Sequence, residues 1–273
     1  MQTRRVNSLG MAIAIAVLAG CASSNDPVAE PTWMSDAEME AESAKQFAQM
    51  KASMPMITDR ETIDYIACVA NAVVAALEPE YRDMSWEMAI FEADSVNAFA
   101  MPGGKIGVMQ GILKAAKNQH QLAAVIGHEI AHVTAKHSNE RASRGKISGV
   151  GIQVAAVLLG GGHQGATYTA YEALNQGAAL GIMLPFSRNQ ETEADVIGLK
   201  YMARAGFDPR QAVPLWQNMA EVTGGKKEAE FLSTHPSSEK RIDNLISEWG
   251  EALPLYNEAL SQGLDPQCAQ PQP

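Results

Sequence analysis

The sequence predicts an α+β fold, mainly helical, with one small β-sheet. Three observations carry that reading. Several long stretches place apolar residues at helical spacing, strand-like patterns are confined to short runs, and capping residues or Pro/Gly turns punctuate the intervals. With 273 residues, no internal repeat and no long low-complexity run, one domain with short appendages is the economical count.

Residues 1–21 come first. Arg4 and Arg5 precede the apolar run Met11–Val17, which ends in Leu18-Ala19-Gly20-Cys21. A basic start, a short apolar core and small residues before a cut make a secretory signal, too short for a stable membrane span. The ending resembles a bacterial lipoprotein signal. That resemblance implies removal of 1–20 and lipidation of Cys21, and Ala22-Ser23 after the cysteine implies an outer-membrane lipoprotein facing the periplasm of a Gram-negative bacterium. The lipid would anchor the chain to the membrane without spanning it. Residues 22–33 lack an apolar period and read as a flexible tether. The expected division is signal 1–20, lipidated N-terminus and tether 21–45, domain 46–260 and tail 261–273.

Within the domain, Ile63, Ile66, Ala67, Ala70, Val73, Val74 and Leu77 fall at helical spacing, so Thr58–Leu77 reads as an amphipathic helix capped by Thr58 or Asp59. Trp86–Phe91 reads as a strand. Pro102-Gly103-Gly104 is a turn, followed by a short strand at Lys105–Met109. Ile112 to about Arg144 covers helical runs. Ile147–Leu159 is apolar but only about thirteen residues long, so a core helix is simpler than a membrane span; residues 169–183 resume a helix. Ser187 and Gln190 form a capping box for a helix ending near Ala205, before Gly206. Asp208–Val222 and Ser237–Trp249 read as the last two helices.

The formal charge is −10; without Arg4 and Arg5 the remainder holds 19 basic and 31 acidic residues, net −12. That argues against a nucleic-acid partner and against broad adhesion to anionic lipid. Two cysteines remain after Cys21. In an oxidising compartment Cys68 and Cys268 are expected to pair and pin the tail, with two free thiols as the alternative.

The most informative stretch is His128-Glu129-Ile130-Ala131-His132, inside a helical run. Positions i and i+4 share a helix face, so both imidazoles can address one ion, while Glu129 projects at a neighbouring angle where it can reach a water. The alternative is two ordinary histidines on a helix. A second element weighs against that. Glu191 and Asp195 also stand at i and i+4, on the Ser187-capped helix. Glu191 can be the third protein ligand and Asp195 can accept the other ring N–H of a liganding histidine. Glu193 lies about 200° round the helix from Glu191 and is expected to face elsewhere.

H-E-x-x-H with a distant S-R-x-x-E-x-x-A-D resembles the HtpX/BepA/LoiP-type zinc metallopeptidases, relatives of the CAAX-prenyl proteases. Asn97-Ala98-Phe99-Ala100-Met101-Pro102-Gly103-Gly104 resembles that family's N-A-F-x-x-P-G-G, with Met101 where Leu is common, and His235 to Arg241 resembles its H-P-x-x-x-x-R. The order and spacing fit over about residues 55–250. The resemblance implies a zincin-type domain with one Zn2+ per chain, bound by His128, His132 and Glu191, with Glu129 as general base and Asp195 behind the ligands.

The chemistry then expected is Glu-assisted attack of zinc-activated water on a peptide carbonyl. His235 and Arg241 are candidates to stabilise the oxyanion. His235, in a loop before Pro236, could instead swing in as a fourth ligand; the plainer reading is a surface histidine and a packing arginine. The edge built by Asn97, Ala98, Phe99 and Ala100 with Lys105–Met109 is the candidate cradle, where a peptide adds as a strand. His120, His137 and His163 are expected to be structural or solvated. The substrates implied are unfolded or misassembled envelope polypeptides, with envelope assembly machinery as a partner. Rival readings are a lipoprotein chaperone or assembly factor with a latent zinc site, and a hydrolase of cell-wall peptide cross-links.

Overall fold

Ser35 opens the described chain with a capping box: its hydroxyl accepts the Glu38 N–H at 3.3 Å, and its own N–H donates to the Glu38 carboxylate at 2.9 Å. This computed structural model describes residues 35–141, 185–222, 224, 231, 234–235 and 240–271. Helix α1, Asp36–Ser53, follows the cap and buries Met39, Ser43, Gln46 and Phe47 along one stripe. The tether assigned to 21–45 is therefore too long. Its last ten residues are helix, because a capping box and an apolar stripe outweigh a polar composition.

Helix α2, Arg60–Ala75, is capped by Asp59, which accepts the Thr62 N–H at 2.9 Å. A short helix α3, Pro79–Arg82, leads to strands β1 (Glu87–Phe91), β2 (Ala98–Met101) and β3 (Lys105–Met109). The sheet order is β1-β3-β2, with β1 parallel and β2 antiparallel to β3. Lys105–Met109 is thus the central strand, paired on both sides and unable to offer an edge. The edge expected beside the site belongs to β2.

Side chains alternate across the sheet as a two-residue period requires. Ala89, Phe91, Met101 and Met109 pack with Phe47 of α1 on one face. Ile90, Ala98, Ala100, Ile106 and Val108 join the main core with α2 and the later helices on the other. Gly107 leaves room for the Phe99 ring, which a Cβ there would meet at 2.1 Å.

A 3-10 turn, Gln110–Lys114, precedes α4, Gln119–Thr134, capped by Asn118. The helical runs expected from Ile112 to about Arg144 are separated at 115–118 and at 135–136, where Lys136 takes φ 56° before helix resumes at 137–141. Helix α5, Arg188–Arg204, starts at the Ser187/Gln190 capping box. It ends in a Schellman pair, Phe207 N–H to Met202 C=O at 2.9 Å and Gly206 N–H to Ala203 C=O at 3.0 Å, with Gly206 at φ 82°. After a 3-10 turn at Pro209–Gln211 come α6 (Ala212–Val222), α7 (Arg241–Ser247) and α8 (Trp249–Ser261). Helix α8 was not expected, since Pro254 stands inside it. Among the described residues no helix is long and apolar enough to cross a membrane. The signal, Cys21, the apolar stretch 147–159, the helix expected at 169–183, His163 and the Ser237/Ser238 cap lie outside the described residues.

Cys68 on α2 and Cys268 in the tail are bonded across 200 residues. The Cys268 N–H donates to Gln119 at 2.9 Å, and the tail passes Gly206 so closely that a Cβ there would meet the Leu264 carbonyl at 2.0 Å. Cys268→Ser is expected to cost about 2–4 kcal/mol, mainly by freeing the unfolded chain. Urea unfolding with and without reductant checks it: reduction should lower the wild type to the variant's midpoint and leave the variant unmoved.

Candidate metal centre

Helix α4 is buried on nearly every side from Gln121 to His132. Polar groups there need partners, and α5 supplies them. The two helices cross at glycines. A Cβ on Gly198 would meet the His128 backbone nitrogen at 2.8 Å, and one on Gly127 would meet the Gly198 carbonyl at 2.9 Å. With no side chain between them the backbones touch, and side chains one turn away converge.

His128, His132, Glu191 and His235 each direct one donor atom into a common space, all within 4.8 Å of one another and all four residues buried. His128 Nε2 lies 3.1 Å from His132 Nε2 and 3.6 Å from Glu191 Oε2; His132 Nε2 lies 3.4 Å from Glu191 Oε1. His235 Nδ1 stands 3.2 Å from His128 Nε2 and 3.0 Å from Glu191 Oε1. Zinc bonds of about 2.0–2.1 Å at tetrahedral angles hold donor atoms roughly 3.3–3.4 Å apart. The set fits. Asp195 Oδ1 sits 2.9 Å from His128 Nδ1, and a carboxylate only accepts, so the His128 proton is on Nδ1 and Nε2 presents a lone pair. Lone pairs facing one another at such distances are stabilised by a cation between them.

Glu129 is buried beside this group and is not one of the four donors. Its carboxylate is touched by the Ala100 N–H of β2, and His235 Nε2 lies 3.3 Å from its Oε1, within ion-pair reach but off hydrogen-bond geometry. Burial pushes the Glu129 carboxyl above the usual carboxylate range. Burial also pushes Glu191 up, but His235, His132 and His128 overcome it and hold that carboxyl far below the ordinary range. Burial pulls the His132 imidazole well down.

Arg241 is buried and forks across α5: Nη1 donates to Glu191 at 2.8 Å and Nη2 to Asp195 at 2.6 Å. Its guanidinium lies 3.4 Å over the Trp216 ring. Each terminal nitrogen donates to a carboxylate of α5, so Arg241 holds the ligand helix in place.

Two groups escaped sequence reasoning. Phe186 stacks on His132 with ring centroids 3.5 Å apart, and the Arg141 guanidinium covers its other side at 3.4 Å; no local pattern announces this. His137 is buried with Nδ1 2.9 Å from His132 Nδ1, and its Nε2 lies 3.2 Å from Glu193. On one unbroken helix His137, five residues past His132, would stand off the metal-facing stripe, and the break at 135–136 turns it back. His120 accepts the Asp208 N–H at 3.1 Å, a structural contact. Of the expected cradle, Asn97, Ala98 and Ala100 are buried, and Phe99 packs toward Phe91 with ring centroids 6.5 Å apart.

A model of peptidase family M48 matches residues 61–248. Mitochondrial metalloendopeptidase OMA1 of Schizosaccharomyces pombe is 40% identical over 186 residues, covering 68% of this chain and 52% of that protein. The Saccharomyces cerevisiae protein of the same name is 35% identical over 212 residues, covering 71% and 57%. The beta-barrel assembly-enhancing protease of Yersinia pestis is 30% identical over 201 residues, covering 72% and 40%. The chain spans about half the length of the curated relatives it matches.

Proposed function

This chain belongs to peptidase family M48, and from that premise we propose that it is a zinc-dependent metalloendopeptidase cleaving unfolded or misassembled polypeptides of the bacterial envelope. The observation that carries the reading is the buried His128/His132/Glu191/His235 group with Glu129 beside it but outside the donor set. A purely structural zinc has no use for a base there.

Zinc, when bound, supplies Lewis-acid chemistry, polarising a carbonyl and bringing the pKa of water toward about 7. His128, His132 and Glu191 hold it; Asp195 fixes the His128 tautomer, and Arg241 positions Glu191 and Asp195. Glu129 takes the proton of the attacking water and returns it to the leaving amine. Its raised carboxyl suits the second step. β2, whose Ala100 N–H already touches Glu129, is the edge on which a substrate strand adds. The Asn97–Ala100 backbone supplies the contacts, and Phe99 packs the strand down.

His235 stands at the fourth corner in reach of Glu129, where it occupies the place that water and carbonyl need. We take this as a closed state that opens when His235 withdraws to the oxyanion. That observation also favours a second reading, a chaperone or assembly factor with a latent site. An envelope location rests on the lipoprotein-like run ending at Cys21, and an assembly partner on the name of the Yersinia pestis relative.

The test is casein cleavage by the purified chain, with metal removed by 1,10-phenanthroline and then restored as zinc. Cleavage should vanish and return. Ala100→Pro, which deletes the edge N–H, should slow cleavage at unchanged zinc content. No cleavage by zinc-loaded protein, with His235→Ala also inert, would leave the binder reading standing.

A further inference from the structure

His132 has a second ring nitrogen, and its partner is not used by the chemistry above. We propose that His137 and Glu193 form a positioning arm for this ligand: His132 Nδ1–H donates to His137 Nδ1, and His137 Nε2–H donates to the Glu193 carboxylate. The inference rests on the metal-centre reading of the same site.

The proton positions follow one from another. His132 Nε2 points into the donor group, 3.1 Å from His128 Nε2 and 3.4 Å from Glu191, so it is the metal-facing atom and carries no proton. A neutral imidazole has one N–H, so it is on Nδ1. That nitrogen lies 2.9 Å from His137 Nδ1, which must accept, leaving the His137 proton on Nε2. Nε2 lies 3.2 Å from Glu193 Oε2, an acceptor. The His137 side chain is 2% exposed and the Glu193 side chain 58%, so the arm runs from the metal centre to solvent. His128 receives the equivalent service from Asp195 directly.

The fold builds the arm deliberately. On a continued α4, His137 would stand about 140° round from His132. The chain instead turns through Lys136 at φ 56°, a left-handed conformation uncommon for a residue with a side chain. α1 holds that turn. Lys136 Nζ donates to Asp36 at 2.6 Å, and Asn139 Nδ2 donates to the same carboxylate at 3.1 Å. Glu193, two residues past Glu191, faces away from the metal and toward His137.

Partners behind metal-bound histidines are worth about 10–100-fold in metal affinity. The experiment measures the zinc dissociation constant of the purified full chain by chelator competition, and the absorption bands of its cobalt-loaded form at saturation. It compares wild type, His137→Ala, Glu193→Ala, Glu193→Gln and the double alanine variant. His137→Ala should weaken zinc about 10–100-fold and shift the cobalt bands. Glu193→Ala should weaken zinc by a smaller factor. Glu193→Gln should recover most of that loss, because its amide oxygen still accepts from His137. The double variant should be no weaker than His137→Ala alone. Zinc binding by Glu193→Ala equal to wild type overturns the arm, as does independent addition of the two losses. Should His137→Ala fail to fold, the two Glu193 variants still decide. Wild type that binds no zinc overturns the metal-centre reading itself, a different result from variants that bind as well as wild type.

Discussion

Glu129→Gln is expected to keep its zinc and lose about 10²–10⁴-fold in peptide hydrolysis, the usual contribution of a positioned general base. The two side chains are nearly the same size, so the packing around this buried position is retained. The Gln amide oxygen can still accept the Ala100 N–H. What it cannot do is take a proton. Because Glu129 is outside the four converging donors, metal content should stay at wild-type level. Folding stability should hold or rise slightly, since a buried amide costs less to desolvate than a buried carboxylate. Turnover of casein and zinc content, measured on one preparation, check the result. Turnover within about tenfold of wild type would place the base elsewhere. Loss of zinc would make Glu129 a ligand.

The second large effect is at Arg241. Arg241→Ala removes the guanidinium that bridges Glu191 and Asp195, and leaves two carboxylates in a buried site. Breaking a buried ion pair from one side costs about 3–5 kcal/mol, because the remaining charge stays buried without its partner. The flat contact on Trp216 is lost as well. The cost should grow when zinc is chelated, since the metal offsets part of the Glu191 charge. Arg241→Lys should rescue little: an ammonium cannot fork to two carboxylates and lie flat on an indole at once. Urea unfolding of zinc-loaded and chelated protein reads all of this. A loss under about 1 kcal/mol in both states would show that the bridge is incidental.

Much of the site was legible because its signals are local. His128 and His132, and Glu191 and Asp195, stand at i and i+4, and helix geometry alone puts each pair on one face. The Ser187/Gln190 box placed the second helix to within a residue, and the fold class followed from helical periods and short strands. The sheet was half legible: a strand at Lys105–Met109 reads easily, but whether it is edge or centre depends on which strands flank it. Helix α1 is not legible in the sequence, because its apolar stripe is narrow and its flanks are polar. Helix α8 was missed because Pro254 speaks against helix locally, while docking against the domain decides for it.

The sequence by itself determined which residue types could address a metal from the two helices and on which helix faces they lie, because covalent spacing sets those faces before any folding. Only the tertiary structure decided the remainder. It brought α4 and α5 together at Gly127 and Gly198, set His235 at the fourth corner, and committed Arg241 to Glu191 and Asp195. It also turned His137 back onto His132 through Lys136. Each of these depends on contacts between segments far apart in the chain, or on one residue leaving the helical region, and neither has a period that a sequence can display.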